Sequence, residues 1–374
     1  MAEWARVVNT TTRQFIRDEE VNILRNRKVT AMAKSRGRIK MNAGGGDKLD
    51  WKVRFKRAPM TGFADTDTLS FSRQNRWKTA ELDWRGYAST DSMTKREKLI
   101  NTSVEAIIKV YDQIARNLMD DMEDQFADEF YIDGNATGNS KRIHGLESFC
   151  GVTGAYSGGF VGDPSDTYAN LSTVLGNYGG AWSGTTWPIG TGDAHYDFWS
   201  PTLVDYTDTA WEASTKTWPN TCIEALRFGI LHAQKNKSKK GMLDMIVLDT
   251  ELYRQFLAKL EAKENIYVSR GKSSEGLQTL GFTDVQNFDG VDVTSEYGLP
   301  AATGNTGAIA GISGTRVGYG FNFDHLELCS LQSQLFVPEG PDFDIASQSW
   351  RFSVDFYGNM RCNPRYFVKW ASHT

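Results

Sequence analysis

Chemistry-bearing patterns occur along this chain only in fragments, and each fragment fails at a residue the chemistry requires. Gly271-Lys272-Ser273 matches the close of a phosphate-binding loop, in which backbone amides and the lysine hold phosphate oxygens. The glycine required five residues earlier is Ile266, and the preceding segment reads as a helix where a strand is needed. Gly311-Ile312-Ser313-Gly314-Thr315 misses the nucleophile elbow because its last position is Thr315. Gly44-Gly45-Gly46 precedes no helix and reads as a hinge between strands. The five histidines, His144, His195, His232, His325 and His373, lack metal-ligand spacing and read as structural. Cys150, Cys222, Cys329 and Cys362 never form a C-x-x-C pair, so buried thiols are expected, with neither a zinc site nor a disulfide framework. The aromatics from Trp182 to Trp199 stand in Gly/Ser-rich sequence and would suit sugar stacking. No carboxylate pair accompanies them, and packing of loops is the simpler reading. No catalytic residue, cofactor site or metal site is expected.

What remains is charge, and it is unevenly placed. The formal net charge of −4 argues against a dedicated nucleic-acid binder. Basic residues dominate from Arg6 to Arg57 and crowd at Arg36, Arg38, Lys40, Lys48, Lys52, Arg54, Lys56 and Arg57. A second run is acidic: Asp120, Asp121, Glu123, Asp124, Asp128 and Glu129. It would suit a hard cation such as calcium but lacks the looped ligand spacing of such sites.

The acidic run closes the longest element. Lys95 to Tyr131 reads as one helix of about ten turns, roughly 55 Å long. Thr94 and Glu97 form a capping box at its start, and Asp133-Gly134 is expected to supply the stop. Ile100, Val104, Ile107, Tyr111, Ile114, Leu118, Met122, Phe126 and Phe130 form one apolar stripe. Acids in the last turns oppose the helix macrodipole, so they would gain from a basic partner.

Around that helix the chain divides readily. Hydrophobic content of 40% and charged content of 24% describe a globular chain of two or more lobes, without an apolar run long enough for a membrane span. The start lacks the apolar core of a signal peptide, which points to a cytoplasmic setting. Residues 1 to 35 read as an arm. In Gly37 to Ser89, Leu49, Trp51, Val53 and Phe55 alternate with Lys52, Arg54 and Lys56; Leu82, Trp84 and Gly86 alternate on the way back. Two strands alone are marginal in water, so this excursion is expected to need cover from another subunit. Further on, Pro219 to Gln234 and Thr250 to Lys263 read as helices flanking a buried strand, Leu243 to Leu248. The tail reads as a closing hairpin: Trp350 to Phe356, a turn at Gly358-Asn359, then Tyr366, Val368 and Trp370 alternating with Arg365, Phe367 and Lys369. These strands are the expected bed for the long helix.

Arm, extended loop, long helix, mixed α/β lobe and closing strands, in that order, resemble the major capsid proteins of tailed bacteriophages, whose coat-protein fold is shared by encapsulins and the herpesvirus capsid floor. Asn287 to Val293 resembles a short strand motif late in the family's axial lobe, and Gly358 to Arg365 its final hairpin. The resemblance implies an α+β phage major-capsid fold. Its parts would be an N-terminal arm (1–36), an extended two-stranded loop (37–89), a peripheral domain with the long spine helix (90–142), an axial mixed α/β domain (143–330) and peripheral return strands (331–374).

It also implies a function: a structural protein, not an enzyme, assembling through hexamers and pentamers into an icosahedral head around double-stranded DNA that it does not read. The implied setting is the virion, with assembly in the host bacterial cytoplasm and no membrane. Implied partners are further copies of itself, a separate scaffolding chain, a portal and decoration proteins. In such shells the extended loop lies across a neighbour. Lys52, Arg54, Lys56 and Arg57 of one subunit are accordingly expected to meet Asp120, Asp121, Glu123 and Asp124 of the next. Some members join a loop lysine to a neighbour's asparagine. Lys52 or Lys56 with Asn359 or Asn363 would be the partners here, although unlinked shells are the expectation. The alternatives are an encapsulin-like compartment and a carbohydrate-binding or carbohydrate-active protein.

Overall fold

The computed structural model describes residues 27–40, 46–55, 60–69, 71, 73, 75–100, 104–151, 164–174, 199–209, 211–233, 242–261, 285–296, 299, 316–331 and 336–372. The arm contributes α1 (Lys28–Ser35), which buries Val29, Met32 and Ala33 and leads into a short strand, β1 (Ile39–Lys40). The extended loop is built on β2 (Lys48–Arg54) and β3 (Trp77–Asp83), paired antiparallel with Lys48 opposite Asp83 and Arg54 opposite Trp77.

β4 (Arg85–Thr94) then runs into α2 (Lys95–Ile100) and α3 (Val104–Glu129). The capping box forms as its spacing requires: the Thr94 amide donates to the Glu97 carboxylate at 2.9 Å, and the Glu97 amide donates to Thr94 Oγ1 at 3.3 Å. Residues 101–103, between the two helices, lie outside the described set, as do the side chains of Val104, Ile107 and Tyr111. The rest of the stripe is buried at Ile114, Leu118, Met122, Phe126 and Phe130, whereas Ile100 is exposed.

The stop differs from expectation. Helix α3 ends at Glu129, and the amides of Tyr131 and Ile132 bond back to the carbonyls of Asp128 and Glu129 at 3.2 and 3.3 Å. Gly134 is not in the left-handed region. It is needed for space, because a Cβ there would lie 2.7 Å from the Ile143 carbonyl oxygen.

The middle of the chain supplies a small hairpin, β5 (Thr167–Tyr168) and β6 (Leu171–Ser172), and then β7 (Thr202–Asp205), α4 (Trp218–Ala233), β8 (Met245–Asp249), α5 (Thr250–Glu261), β9 (Val285–Phe288), β10 (Val291–Glu296) and β11 (Gly318–Phe321). The expected helix–strand–helix succession is therefore present. Between β9 and β10, Asp289 and Gly290 take φ of 49° and 84°, the paired left-handed residues of a tight hairpin turn. The last strands are β12 (Leu326–Ser330), β13 (Val337–Asp344), β14 (Ser349–Cys362) and β15 (Val368–Ala371).

Two sheets organise these elements. A six-stranded mixed sheet has the order β7-β15-β11-β8-β10-β9, and a five-stranded sheet runs β1-β12-β14-β13 with β4 also paired to β14. Helix α3 lies on β14 and β4 through aromatic contacts, Phe126 standing 4.7 Å from Phe356 and 5.8 Å from Tyr87. The expected bed of closing strands is thus half correct, since β4 shares it.

The tail does not fold as the expected hairpin. β14 runs unbroken through Gly358-Asn359, with Gly358 opposite Arg85 on one side and Ser330 on the other. Gly358 is a point of close approach, because a Cβ would strike the Cys329 carbonyl and the Phe356 ring. β15 belongs to the six-stranded sheet, between β7 and β11. Every residue of β15 is buried, so the alternation expected to expose Lys369 fails.

Candidate assembly surfaces

Along the extended loop, burial changes from base to tip. At the base, Leu49, Ala80 and Leu82 are buried within their own subunit, and the Trp51 ring lies 6.5 Å from Trp199 with the Arg361 guanidinium 5.3 Å above it. The Glu81 amide bonds to the Ala169 carbonyl at 3.0 Å, fastening β3 to the small β5–β6 hairpin. Part of the cover expected from another subunit is therefore supplied by the chain itself. Toward the tip the cover ends. Met60 is 100% exposed, Phe71 94% and Phe63 67%, with Leu69 and Trp77 exposed as well. Large apolar side chains exposed in the stretch between β2 and β3 suit a contact surface.

Lys52 and Arg54 are exposed on β2 and line an open cleft of about 260 Å³ facing Asp324, Glu327 and Arg361 of the same chain. Lys56 and Arg57 lie outside the described residues. Asp120 is exposed and Asp121 half-buried, while Glu123 and Asp124 are engaged by the arm.

That engagement is the feature sequence reasoning missed. Arg27 Nε donates to Asp124 Oδ1 at 2.9 Å, and its Nη1 lies 2.7 Å from Asp128. Burial works against the Arg27 charge, but the hydrogen bonds to Asp124 and Asp128 outweigh it and raise its pKa. Lys34 pairs with Glu123. Lys28 Nζ donates to Thr294 Oγ1 and the Ser295 carbonyl, both at 2.8 Å. Arg36 pairs with Asp244 at 2.7 Å, and Arg38 with Asp324. Segment 27–40 thus straps α3, β10, the start of β8 and the five-stranded sheet. At the same end of α3, Arg142 bonds Glu129. Of the acids that oppose the helix dipole, Glu123, Asp124, Asp128 and Glu129 are paired within the chain. Their signal was present in the sequence as a basic run beginning near Arg6, although nothing there specified which cation meets which acid.

The proposed linkage asparagines also separate. Asn359 is fully buried: its Oδ1 accepts from the His144 amide at 3.0 Å, and its Nδ2 donates to the Asp83 carbonyl at 2.8 Å. An amide so engaged is closed to a neighbour's lysine. Asn363 lines the same cleft as Lys52.

Titratable groups in the interior are arranged for packing. All four cysteines are buried, and burial pushes the Cys150 and Cys362 thiols up, away from the nucleophilic thiolate. Burial lowers His144 to about 4, leaving it neutral. His325 stacks on Tyr366 at 3.6 Å, and His232 packs against Phe228. His195 and His373 lie outside the described residues. Among the described residues no group of His, Cys, Asp and Glu is arranged to hold a metal ion, and no helix is long and apolar enough to cross a membrane. Trp199 is buried against Tyr168 and donates to its carbonyl at 3.2 Å, the packing role expected of it. Trp182, Gly271-Lys272-Ser273 and the segment at Gly311 lie outside the described residues.

No family model and no curated protein sequence matches this chain. Solved structures do. The chain superposes on a subunit of the cyanophage A-1(L) capsid asymmetric unit with a TM-score of 0.57 at 14% identity, covering 97% of this chain and 99% of the other. On the capsid of the native GTA particle the TM-score is 0.50 at 12% identity, covering 98% and 99%. On the empty GTA particle it is 0.50 at 11% identity, covering 100% and 98%. The chain therefore has the fold of phage capsid subunits over essentially its whole length, the α+β coat-protein fold its sequence resembles.

Proposed function

We propose that this protein is a structural shell subunit that assembles through hexamers and pentamers into an icosahedral phage head enclosing double-stranded DNA. The observation that carries the reading is the extended loop, rooted in its own subunit by Leu49, Ala80 and Leu82 yet displaying Met60, Phe63 and Phe71 to solvent. An isolated enzyme has no use for such a projection; a subunit that lays it on a neighbour does. In this reading the chain has no turnover chemistry. Segments 1–36, 37–89, 90–142, 143–330 and 331–374 act as arm, extended loop, peripheral, axial and returning parts, with β12 counted with the peripheral sheet and β15 with the axial one. Scaffold is a separate chain, and portal and decoration proteins are further partners. The setting is the virion, assembled in the bacterial cytoplasm.

Basic residues of the loop, Lys52, Arg54, Lys56 and Arg57, meet Asp120, Asp121, Glu123 and Asp124 at the acidic end of a neighbour's spine helix, where the described residues of the arm pair with Glu123 and Asp124. Single exposed pairs contribute about 0–1 kcal/mol, so only their repetition around a shell matters. Sedimentation velocity of the purified chain at several salt concentrations tests the reading. Oligomers are expected, and Lys52→Glu with Arg54→Glu should weaken them and flatten their salt dependence. A monomer at every concentration and salt overturns it. An encapsulin-like compartment is the second reading within the same fold, favoured only if the particles enclose a protein cargo in place of DNA.

A further inference from the structure

Three carboxylates converge on one guanidinium where the arm, the end of the spine helix and the six-stranded sheet meet. Arg27, just ahead of α1, lies 2.9 Å from Asp124 and 2.7 Å from Asp128, both on α3. Glu296, the last residue of β10, receives its long contact, at 3.8 Å from Nη1. The other groups around Glu296 bring little positive charge to it. Its Oε2 accepts from the Val29 amide at 3.4 Å. The Lys28 ammonium is turned to Thr294 Oγ1 and the Ser295 carbonyl. Tyr131 is buried beside it and keeps its proton, its pKa raised first by burial and then by Glu296. On β8 its register partner is Asp249, whose carboxylate accepts from the Glu251 amide at 3.1 Å. Glu296 itself is 3% exposed. A carboxylate shut away from water, whose paired cation is distant and already shared by two other acids, is destabilised as an anion and readily held as a neutral acid. Burial accordingly pushes Glu296 up to about 7, against Arg27, the Val29 amide, Tyr131 and Lys28.

We propose that Glu296 is a proton-operated tie between the spine helix and the six-stranded sheet, acting through Arg27. With its proton on, Glu296 makes no demand on the guanidinium, which belongs wholly to Asp124 and Asp128. When the proton leaves to solvent, a third anion stands around a single guanidinium, Arg27 is divided between helix and strand, and local opening of the joint becomes easier. The arm stays packed in both states, since Val29, Met32 and Ala33 hold α1 in the core. What changes is how firmly the end of β10 and the start of α1 are held to α3. The inference concerns the subunit alone and stands apart from the shell reading.

A carboxyl whose folded pKa is raised contributes stability that is fully present below its unfolded value and lost as pH rises through the folded one. For a group titrating near 7, the opening constant of the joint should therefore rise about ten-fold from pH 6 to pH 8. Backbone hydrogen exchange of residues 28–35 and 291–296 in the full chain, corrected for the intrinsic effect of pH on amides, reads that rise. Glu296→Gln, a neutral side chain of the same shape, should abolish it. Infrared difference spectra give a second readout: a carboxylic-acid band that titrates near pH 7, absent from Glu296→Gln and retained in Asp166→Asn. Arg27→Gln removes the paired cation and should move the midpoint of that band to higher pH. Exchange that does not change with pH, a rise that persists in Glu296→Gln, or a band that Glu296→Gln leaves in place overturns the proposal. So does a midpoint that Arg27→Gln leaves unmoved.

Discussion

Lys369 Nζ lies 2.7 Å from Glu147 Oε2 with the two side chains 0% and 2% exposed, so the last strand of the chain is tied to the turn after the long helix by a charge pair sealed from water. The Tyr319 hydroxyl donates to the same carboxylate, and Lys369 also reaches the Cys150 carbonyl at 3.4 Å. Breaking such a pair from one side leaves an uncompensated charge. Lys369→Met is expected to lower the unfolding free energy by about 3–5 kcal/mol. Adding Glu147→Leu should recover much of the loss, and chemical denaturation of the three proteins measures both steps.

Phe126 anchors the spine helix to its bed. Its ring lies 4.7 Å from Phe356, 5.4 Å from Phe336 and 6.0 Å from Phe130. Phe126→Ala removes that contact set and leaves a cavity, which is expected to cost about 3–5 kcal/mol in denaturant unfolding. Loss of less than 1 kcal/mol would mean that the helix does not rest there.

Asp166 introduces a pH dependence. Burial pushes its carboxyl up to about 7, against the opposing hydrogen bond from the Gly151 amide. A carboxyl whose folded pKa is raised contributes stability that is fully present below its unfolded value near 4 and is lost as pH rises through about 7. His144, lowered to about 4, works in the other direction, its contribution being lost as pH falls from about 6.5 toward 4. The difference between the chain and Asp166→Asn isolates the first group. The unaltered chain should lose melting temperature relative to the variant between pH 5 and pH 8. A constant difference over that range would show that Asp166 does not titrate there.

Local physics was readable in the sequence, and long-range pairing was not. The capping box of Thr94 and Glu97, the alternation from Leu49 to Phe55 and the helix at Trp218–Ala233 depend on near neighbours, and their spacing states them outright. Gly358-Asn359 misled because a glycine that makes room for a neighbouring strand has the same letter as one that makes a turn. Lys369 misled because alternation assigns a lysine to water, and nothing nearby in the sequence announces Glu147 as its buried partner. The acidic end of the helix was recognised as needing cations. That Arg27 and Lys34 of the same chain supply them depends on the arm folding back across about 90 residues, which no local pattern encodes.

The most direct measurement is negative-stain electron microscopy of the purified full chain at high concentration, beside a variant with Phe63→Ser and Phe71→Ser at the exposed loop tip. The shell account predicts closed particles or rings for the chain, and for the variant a folded subunit of unchanged circular dichroism that forms neither. Dispersed monomers from the unaltered chain, or shells from the tip variant as abundant as its parent's, would contradict it.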